Sequence, residues 1–388
     1  LKAYIQAIGA VTAAGLSIAE IAANARCGIN VTAESDIYNQ AGQPMKLALL
    51  ADEYLPHVDF SVPGGARLTP RWKRMLALAQ LAHADLTAKI ALPQPVPLFL
   101  SVPEPDPVTR QPIVTAQFVT LLSELCDMPL CLQSSQLFPF GRAGVFAALK
   151  RAMQCLDEQE AVLIGGIDSF FDLKCLAQLD AEGRVLAEGV TDGFVPGEGA
   201  CFMLLTRMAK PLLEPAGKGY GAKYLVVQLP GLSAEAGHRY SEEPYRGDGL
   251  AKAIASGIEN AITNEDENVQ GNAEQACTKC QVRTVIAGFN GEHLMAKEWG
   301  VAYLRNRQAF APDAGLFHPA DCYGDSGAAA GALLLATGCM GLLKEYLPGP
   351  ILCFASADGK GRGACLLQAE NPAEPVAWPA AVAEPGRS

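Results

Sequence analysis

Strands alternate with helices on both sides of a Pro- and Gly-rich stretch, residues 211–221, and the second half repeats the pattern of the first. That alternation restricts the chain to an α/β architecture with parallel or mixed sheets. Residues 4–12 predict a strand that runs into a Gly-bearing turn. Ser17 then reads as a helix N-cap, Glu20 completes a capping box, and the helix ends near residues 26–29. A second helix covers residues 71–86, with Met75, Leu78, Ala79 and Ala82 at helical spacing. Residues 98–102 form a buried strand that Pro103 stops. A third helix, residues 142–156, follows the break Pro139-Phe140-Gly141 and leads into a strand over residues 161–164 that ends at Gly165-Gly166. A strand over residues 201–205 closes the half. The second half predicts strands over residues 224–229, 283–287 and 351–355, and helices over residues 249–262, 293–305 and 327–343. Residues 264–279 are polar and acidic and predict a surface insertion.

With 388 residues, 50% of them hydrophobic and 18% charged, the chain is a well-packed globular protein. It accommodates two domain-sized halves, residues 1–210 and 222–370, followed by a Pro/Ala-rich tail, residues 371–388. A formal net charge of −11 argues against a nucleic-acid partner and against anionic membranes. An acidic carrier protein would need a local basic patch. The apolar run at residues 327–343 is too rich in Gly and Ala to span a bilayer, and Lys344 ends it. The twelve cysteines are scattered and sit mostly in apolar runs, where Cys201 and Cys365 read as small buried hydrophobes. With no secretory leader at the start, a reducing cytoplasm is the expectation. Cys277 and Cys280 form a lone CxxC with no second pair or nearby histidines, so no metal is expected. No cofactor is expected either.

The run Thr191-Asp192-Gly193-Phe194-Val195-Pro196-Gly197-Glu198-Gly199-Ala200 closely resembles the Asp-Gly-Phe-Val-x-Gly-Glu-Gly-Ala signature of the β-ketoacyl synthases, the thiolase-like enzymes that condense acyl chains on carrier protein. Further segments are similar in the same order. Ile8-Gly9-Ala10-Val11-Thr12 and Arg26-Cys27-Gly28-Ile29 resemble the family's first strand and first helix end. Gly165-Gly166-Ile167-Asp168-Ser169 is similar to its Gly-Gly-Val-Asp-Ser. Gly324-Asp325-Ser326-Gly327-Ala328-Ala329-Ala330-Gly331-Ala332 resembles its late Gly-His-x-x-Gly-Ala-Ala-Gly-Ala, and residues 356–367 take the place of its last Gly-rich element. The resemblance implies the α/β thiolase fold, a five-layer α-β-α-β-α sandwich of two similar βα halves, and a homodimer. Gly144, Ala147, Ala148 and Ala152 agree with it, since small residues let a helix sit close between two sheets. Asp192, Glu198 and Asp168 read as turn residues.

The family's reactive groups do not follow the scaffold. The resemblance places the nucleophilic cysteine, at a helix N-terminus that stabilises a thiolate, near Phe140. Residues 136–144 hold no cysteine, serine or threonine; Cys131, Ser134 and Ser135 lie upstream. The two family histidines fall near Gly288 and at Asp325, the lysine near Ala320 and the phenylalanine gate near Gly359. His293 lies too late to fill the first of these positions. A carboxylate cannot donate as a neutral imidazole does, and its charge repels a malonyl carboxylate.

His318, Asp321, Cys322 and Asp325 cluster in sequence, with Arg142, Asn290 and Glu292 as substrate-facing candidates beside Gly359. Two readings of the cluster stand. In one, His318 as base and Cys322 as nucleophile run another acyl chemistry. In the other, the carboxylates cap the helix at Gly327 and pair with Arg142.

The resemblance therefore implies a fatty-acid or polyketide type ketosynthase-like protein without condensing activity, acting as an acyl- or partner-binding subunit. Its expected partners are acyl carrier protein or an acyl thioester, and a second copy or an active ketosynthase, as chain-length factors have. The alternatives are an active acyltransferase with a relocated nucleophile (Cys322, Cys131 or Ser135) and a structural component of an assembly.

Overall fold

The computed structural model describes residues 1–57, 68–209, 223–266 and 281–371. The expected linker at residues 211–221, the Cys277/Cys280 pair and the tail lie outside these residues, as does nearly all of the expected insertion.

Strand β1 (Lys2–Thr12) lies at the centre of one continuous sheet. A hairpin of β2 (Ala33–Tyr38) and β3 (Pro44–Leu47) stands apart from it. On one side of β1 come β7 (Glu198–Thr206), β6 (Ala161–Ser169), β4 (Leu98–Ser101) and β5 (Gln136–Phe138). On the other come β8 (Tyr224–Gln228), β13 (Gly361–Glu370), β12 (Ile351–Ser356), β10 (Val282–Ala287) and β11 (Phe310–Phe317). The short β9 (Gly231–Ala234) pairs with β13 off this path. Tyr4–Thr12 of β1 pairs antiparallel with β7, while Lys2–Ile5 pairs antiparallel with β8. One strand thus carries both halves.

The helices sort into layers by what they touch. After the capped α1 (Ile18–Arg26), α2 (Pro70–Thr87) covers β1, β6 and β7 on an outer face and packs on α3 (Gln117–Leu125). In the middle, α4 (Gly144–Cys155) touches β4 and β6 on one side and β13 on the other. Past α5 (Leu173–Ala181), α6 (Asp248–Asp266) covers β8, β9 and β13 from the opposite outer face and packs on α7 (His293–Arg305). The short α8 (Ala320–Tyr323) precedes α9 (Ala330–Leu343), which touches β6 and β7 as well as β12 and β13. This is the five-layer thiolase fold.

The middle layer explains the Gly/Ala-rich run. Every residue of α9 from Gly331 to Leu343 is buried, because the helix has a sheet on each side. A Cβ on Gly331 would stand 2.5 Å from the backbone oxygen of Arg142. Glycine there sets how closely α9 approaches the start of α4.

The strand expected to stop at Gly165-Gly166 continues to Ser169. These glycines allow close approach: a Cβ on Gly166 would lie 2.5 Å from the Ala328 carbonyl oxygen. Asp168 and Glu198, expected in turns, are strand residues buried under α2. Arg71 donates to Asp168 at 2.7 Å, and Arg74 holds Glu198 through Nε and Nη2 at 2.6 and 2.8 Å. Asp192 accepts the backbone N–H of His293 at 2.7 Å, joining its loop to the start of α7.

Candidate functional site

Arg142 enters the middle layer on a 3-10 turn, Gly141–Ala143, that feeds α4, and it is 4% exposed. Its Nε donates to Asp325 Oδ2 at 2.8 Å, Nη2 donates to the same oxygen, and Nη1 donates to Asp358 Oδ1 at 3.0 Å. Asp325 follows α8, and its other oxygen accepts the Gly327 N–H at 2.9 Å. That local bond fixes the entry into the 3-10 turn Gly327–Ala329 ahead of α9; the turn's N-cap residue, Ser326, makes no side-chain cap bond.

Asn290, on the turn between β10 and α7, donates from Nδ2 to Asp325 at 2.9 Å and to Glu292 at 3.0 Å. Arg184, past the end of α5, grips both Glu292 oxygens through Nε and Nη2, at 2.8 and 2.9 Å. It also donates to Asp358 at 3.0 and 3.1 Å. Arg239 adds a bond to Glu292 at 2.7 Å. Arg142, Arg184 and Arg239 thereby balance Asp325, Glu292 and Asp358. A buried set of charges holds together only where such bonds replace the lost water. Burial alone would push the Asp358 carboxyl up, but Arg142 and Arg184 outweigh it and hold the group well below the usual carboxylate range.

The structure places the positions that the resemblance assigns to the family histidines and lysine around one point. Gly288, Ala320 and Asp325 together line a void of about 10 Å³. Such a space holds about one water molecule and no acyl group. Asp325 already accepts from two side chains and one backbone N–H. It is paired with the Arg142 guanidinium. Phe140, at the position of the family nucleophile, directly precedes the Gly141–Ala143 turn and is 47% exposed.

Arg142 also lines a larger cleft of about 560 Å³, and its pair with Asp325 stands between the two spaces. Gly359, at the family gate position, lines this cleft. Here Glu104 reaches into the β12–β13 turn. Its oxygens accept the N–H groups of Gly359 at 2.9 Å and Asp358 at 3.0 Å. Burial and the neighbouring Asp358 push the Glu104 carboxyl up, more than these bonds and Arg142 lower it. Asp106, at the rim, is held down to about 2 by the Thr109 N–H and by Lys174.

The structure brings Arg142, Asn290, Glu292 and Asp325 together, with Gly288 and Gly359 beside them, and separates His318, Cys322, Ser135 and Cys131 from them. His318 pairs with Asp321 at 2.7 Å on the surface, its ring beside Phe289. The Cys322 thiol donates to the Ala25 carbonyl at 3.7 Å, toward α1, and burial with Asp321 nearby pushes it up. Ser135 accepts the Leu98 N–H at 3.0 Å at the start of β4, and Cys131 precedes it. The cleft begins beyond the other end of β4, where Gly141 N–H meets the Val102 carbonyl. The span of this strand, roughly 10 Å, separates them.

Sequence reasoning missed Arg184, Asp358 and Glu104. Each lies on a connection far along the chain from its partner, and no local spacing links them. The one signal was charge: Arg184 and Asp358 each stand beside a glycine, and Glu104 stands between Pro103 and Pro105.

No protein-family model matches this sequence, and no curated protein matches it. Solved structures do. The ishigamide ketosynthase/chain length factor is similar with a TM-score of 0.68 at 16% identity, over 95% of this chain and 99% of that one. The ketosynthase ApeO in complex with its chain length factor ApeC, from Xenorhabdus doucetiae, gives 0.65 at 16% identity, over 94% and 97%. The complex AntDE:AntF, a type II acyl-carrier protein with its ketosynthase bound to the hexaketide, gives 0.67 at 13% identity, over 95% and 99%. The chain therefore has the fold of the ketosynthases and chain length factors over nearly its whole length. Among the described residues no helix is long and apolar enough to cross a membrane.

Proposed function

We propose that this chain is a ketosynthase-fold subunit that does not condense acyl groups and instead binds an acyl ligand or a partner. The observation that carries this reading is the buried Arg142–Asp325 pair, which stands beside a void of about 10 Å³ where the resemblance puts the condensing groups. Condensation needs a nucleophile to take the acyl group and neutral donors to polarise it. Phe140, Gly288 and Asp325 supply neither. The described solvent-facing cleft, about 560 Å³, is of ligand-binding size.

The partner in this reading is an active ketosynthase or an acyl carrier protein, the two kinds of partner present in the ApeO–ApeC and AntDE:AntF complexes. The halves, residues 1–210 and 222–370, belong to the same reading, as does a second copy where no ketosynthase is present.

The test is incubation with acyl- and malonyl-thioesters of coenzyme A and of carrier protein, followed by intact-mass measurement. The expected result is no covalent adduct on folded protein, together with a stable complex with a ketosynthase or carrier protein in size-exclusion chromatography. An acyl group on Cys322, Cys131 or Ser135 would overturn the reading in favour of acyl transfer.

A further inference from the structure

Among the described residues, the buried arginines around the large cleft are matched by carboxylates on all their nitrogens, with Arg71 the exception. Arg71 lines the cleft from its position on α2 and is 7% exposed. It uses Nη2 on Asp168, at 2.7 Å. Its Nε is buried without a hydrogen-bond partner among the described residues, and no bond there is made by Nη1. Arg142 and Arg184, by contrast, place all their nitrogens on carboxylates.

Asp168 meets Arg71 through one oxygen only. Its Oδ1 also accepts the Ser169 N–H at 2.8 Å, and its Oδ2 accepts the Ala328 N–H at 2.9 Å. Each oxygen is already engaged with the backbone. A guanidinium carries five N–H donors, and burying them without acceptors is costly. Arg71 has Asp172 near it as well as Asp168, and an apolar face beside it: its guanidinium stands over the Phe170 ring at 5.9 Å, and Pro105, Pro112 and Ile113 line the same cleft.

We infer that the cleft takes a small carboxylic acid with a flat apolar body, its carboxylate held by Arg71 and its body against Phe170 and the proline wall. The inference rests on the binding role proposed above and names the ligand class for it. A carboxylate fits better than a long unbranched acyl chain, because Arg142, Arg184 and Asp358 stand in the inner wall where such a chain would lie. It also supplies what Arg71 lacks, an acceptor for Nη1 in a site of low polarity.

The test uses the full chain and benzoate as the probe, with benzamide as its neutral analogue and phenyl phosphate as the alternative anion, by isothermal titration. Unmodified protein is expected to bind benzoate saturably and at least about tenfold more tightly than either analogue, the loss expected for one hydrogen bond to a charged group. Arg71→Gln is expected to lose binding by a similar factor, with Arg71→Lys recovering part of it. Equal binding of benzoate and benzamide, preference for phenyl phosphate, or undiminished binding to folded R71Q would each overturn the inference. Should R71Q fail to fold, the selectivity of the unmodified protein still decides. The two readings fail separately: an acyl-enzyme overturns the functional proposal, whereas absent benzoate binding without an acyl-enzyme overturns only this one.

Discussion

Replacing Asp325 by alanine is the sharpest perturbation of the buried charge set. The substitution removes the acceptor for Arg142 Nε and Nη2, for Asn290 Nδ2 and for the Gly327 N–H. Asn290 keeps Glu292, and Arg142 keeps Asp358 through Nη1 at 3.0 Å. What remains is a guanidinium, 4% exposed, with two of its three nitrogens unanswered. Removing one partner of a buried ion pair costs about 3–5 kcal/mol, and the lost hydrogen bond to the Gly327 N–H about 1 kcal/mol more. The upper part of that range is expected for Asp325→Ala. Asp325→Asn, which keeps an acceptor for Gly327, should cost less. Urea unfolding followed by fluorescence and by circular dichroism measures both, and agreement of the two probes shows whether one transition is being read. The double variant Arg142→Met/Asp325→Leu should be more stable than the sum of the single effects by about 2 kcal/mol or more, because it leaves no unpaired guanidinium. A loss under about 1 kcal/mol for Asp325→Ala, or simple additivity in the double variant, would refute the claim that this pair is structural.

Other consequences follow from single contacts. Glu104 has its folded-state pKa raised, so its contribution to stability is present below the unfolded value and is lost as pH rises through the folded one. Glu104→Gln should therefore gain on the wild type as pH rises above the ordinary carboxylate value of about 4, read as urea midpoints at each pH; a constant difference would exclude this origin. Asp358 runs the other way: its lowered pKa gives stability above the ordinary carboxylate value that disappears as pH falls below it. Asp358→Asn should flatten the acid limb of the same titration. Gly331→Ala forces a Cβ to 2.5 Å from the Arg142 carbonyl and should cost about 1–3 kcal/mol by overpacking, or more, in urea unfolding. In thiol labelling mapped by peptide mass, Cys131 should react well before Cys322. Cys131 is partly exposed with its thiol lowered by the Ser134 hydroxyl, whereas Cys322 is buried and raised. Equal rates would count against both assignments.

Local signals in the chain carried the elements that pack by periodicity. The helix expected over residues 293–305 runs from His293 to Arg305, and that expected over residues 71–86 is Pro70–Thr87. Ser17 accepts the Glu20 N–H at 3.3 Å as the capping pattern implies, although Glu20 reaches Leu16 rather than Ser17. Elements without a clear period went unread. α5 begins with the exposed Leu173 and Lys174, and β11 contains Pro312 and Asp313 with half its residues outward. Glycine misled at Gly165-Gly166, because a residue that permits a turn also permits two backbones to touch. At the site, Arg142, Asn290 and Asp325 were legible because an ordered motif fixed their register. Glu104, Arg184 and Asp358 were not, since their partners lie as far as 255 residues away in sequence.

Strand β1 has a consequence for how the chain is made. Residues 2–12 can form no ladder until β7, residues 198–206, and then β8, residues 224–228, have left the ribosome. During that interval an apolar strand with two open edges has no native neighbour, the condition under which nascent chains aggregate or meet chaperones. Both halves build on the same eleven-residue segment. Synthesis order lets the first half close its sheet once β7 has emerged, whereas the second half waits for β10 to β13, residues 282–370, so one edge of the sheet stays open long after the other is paired.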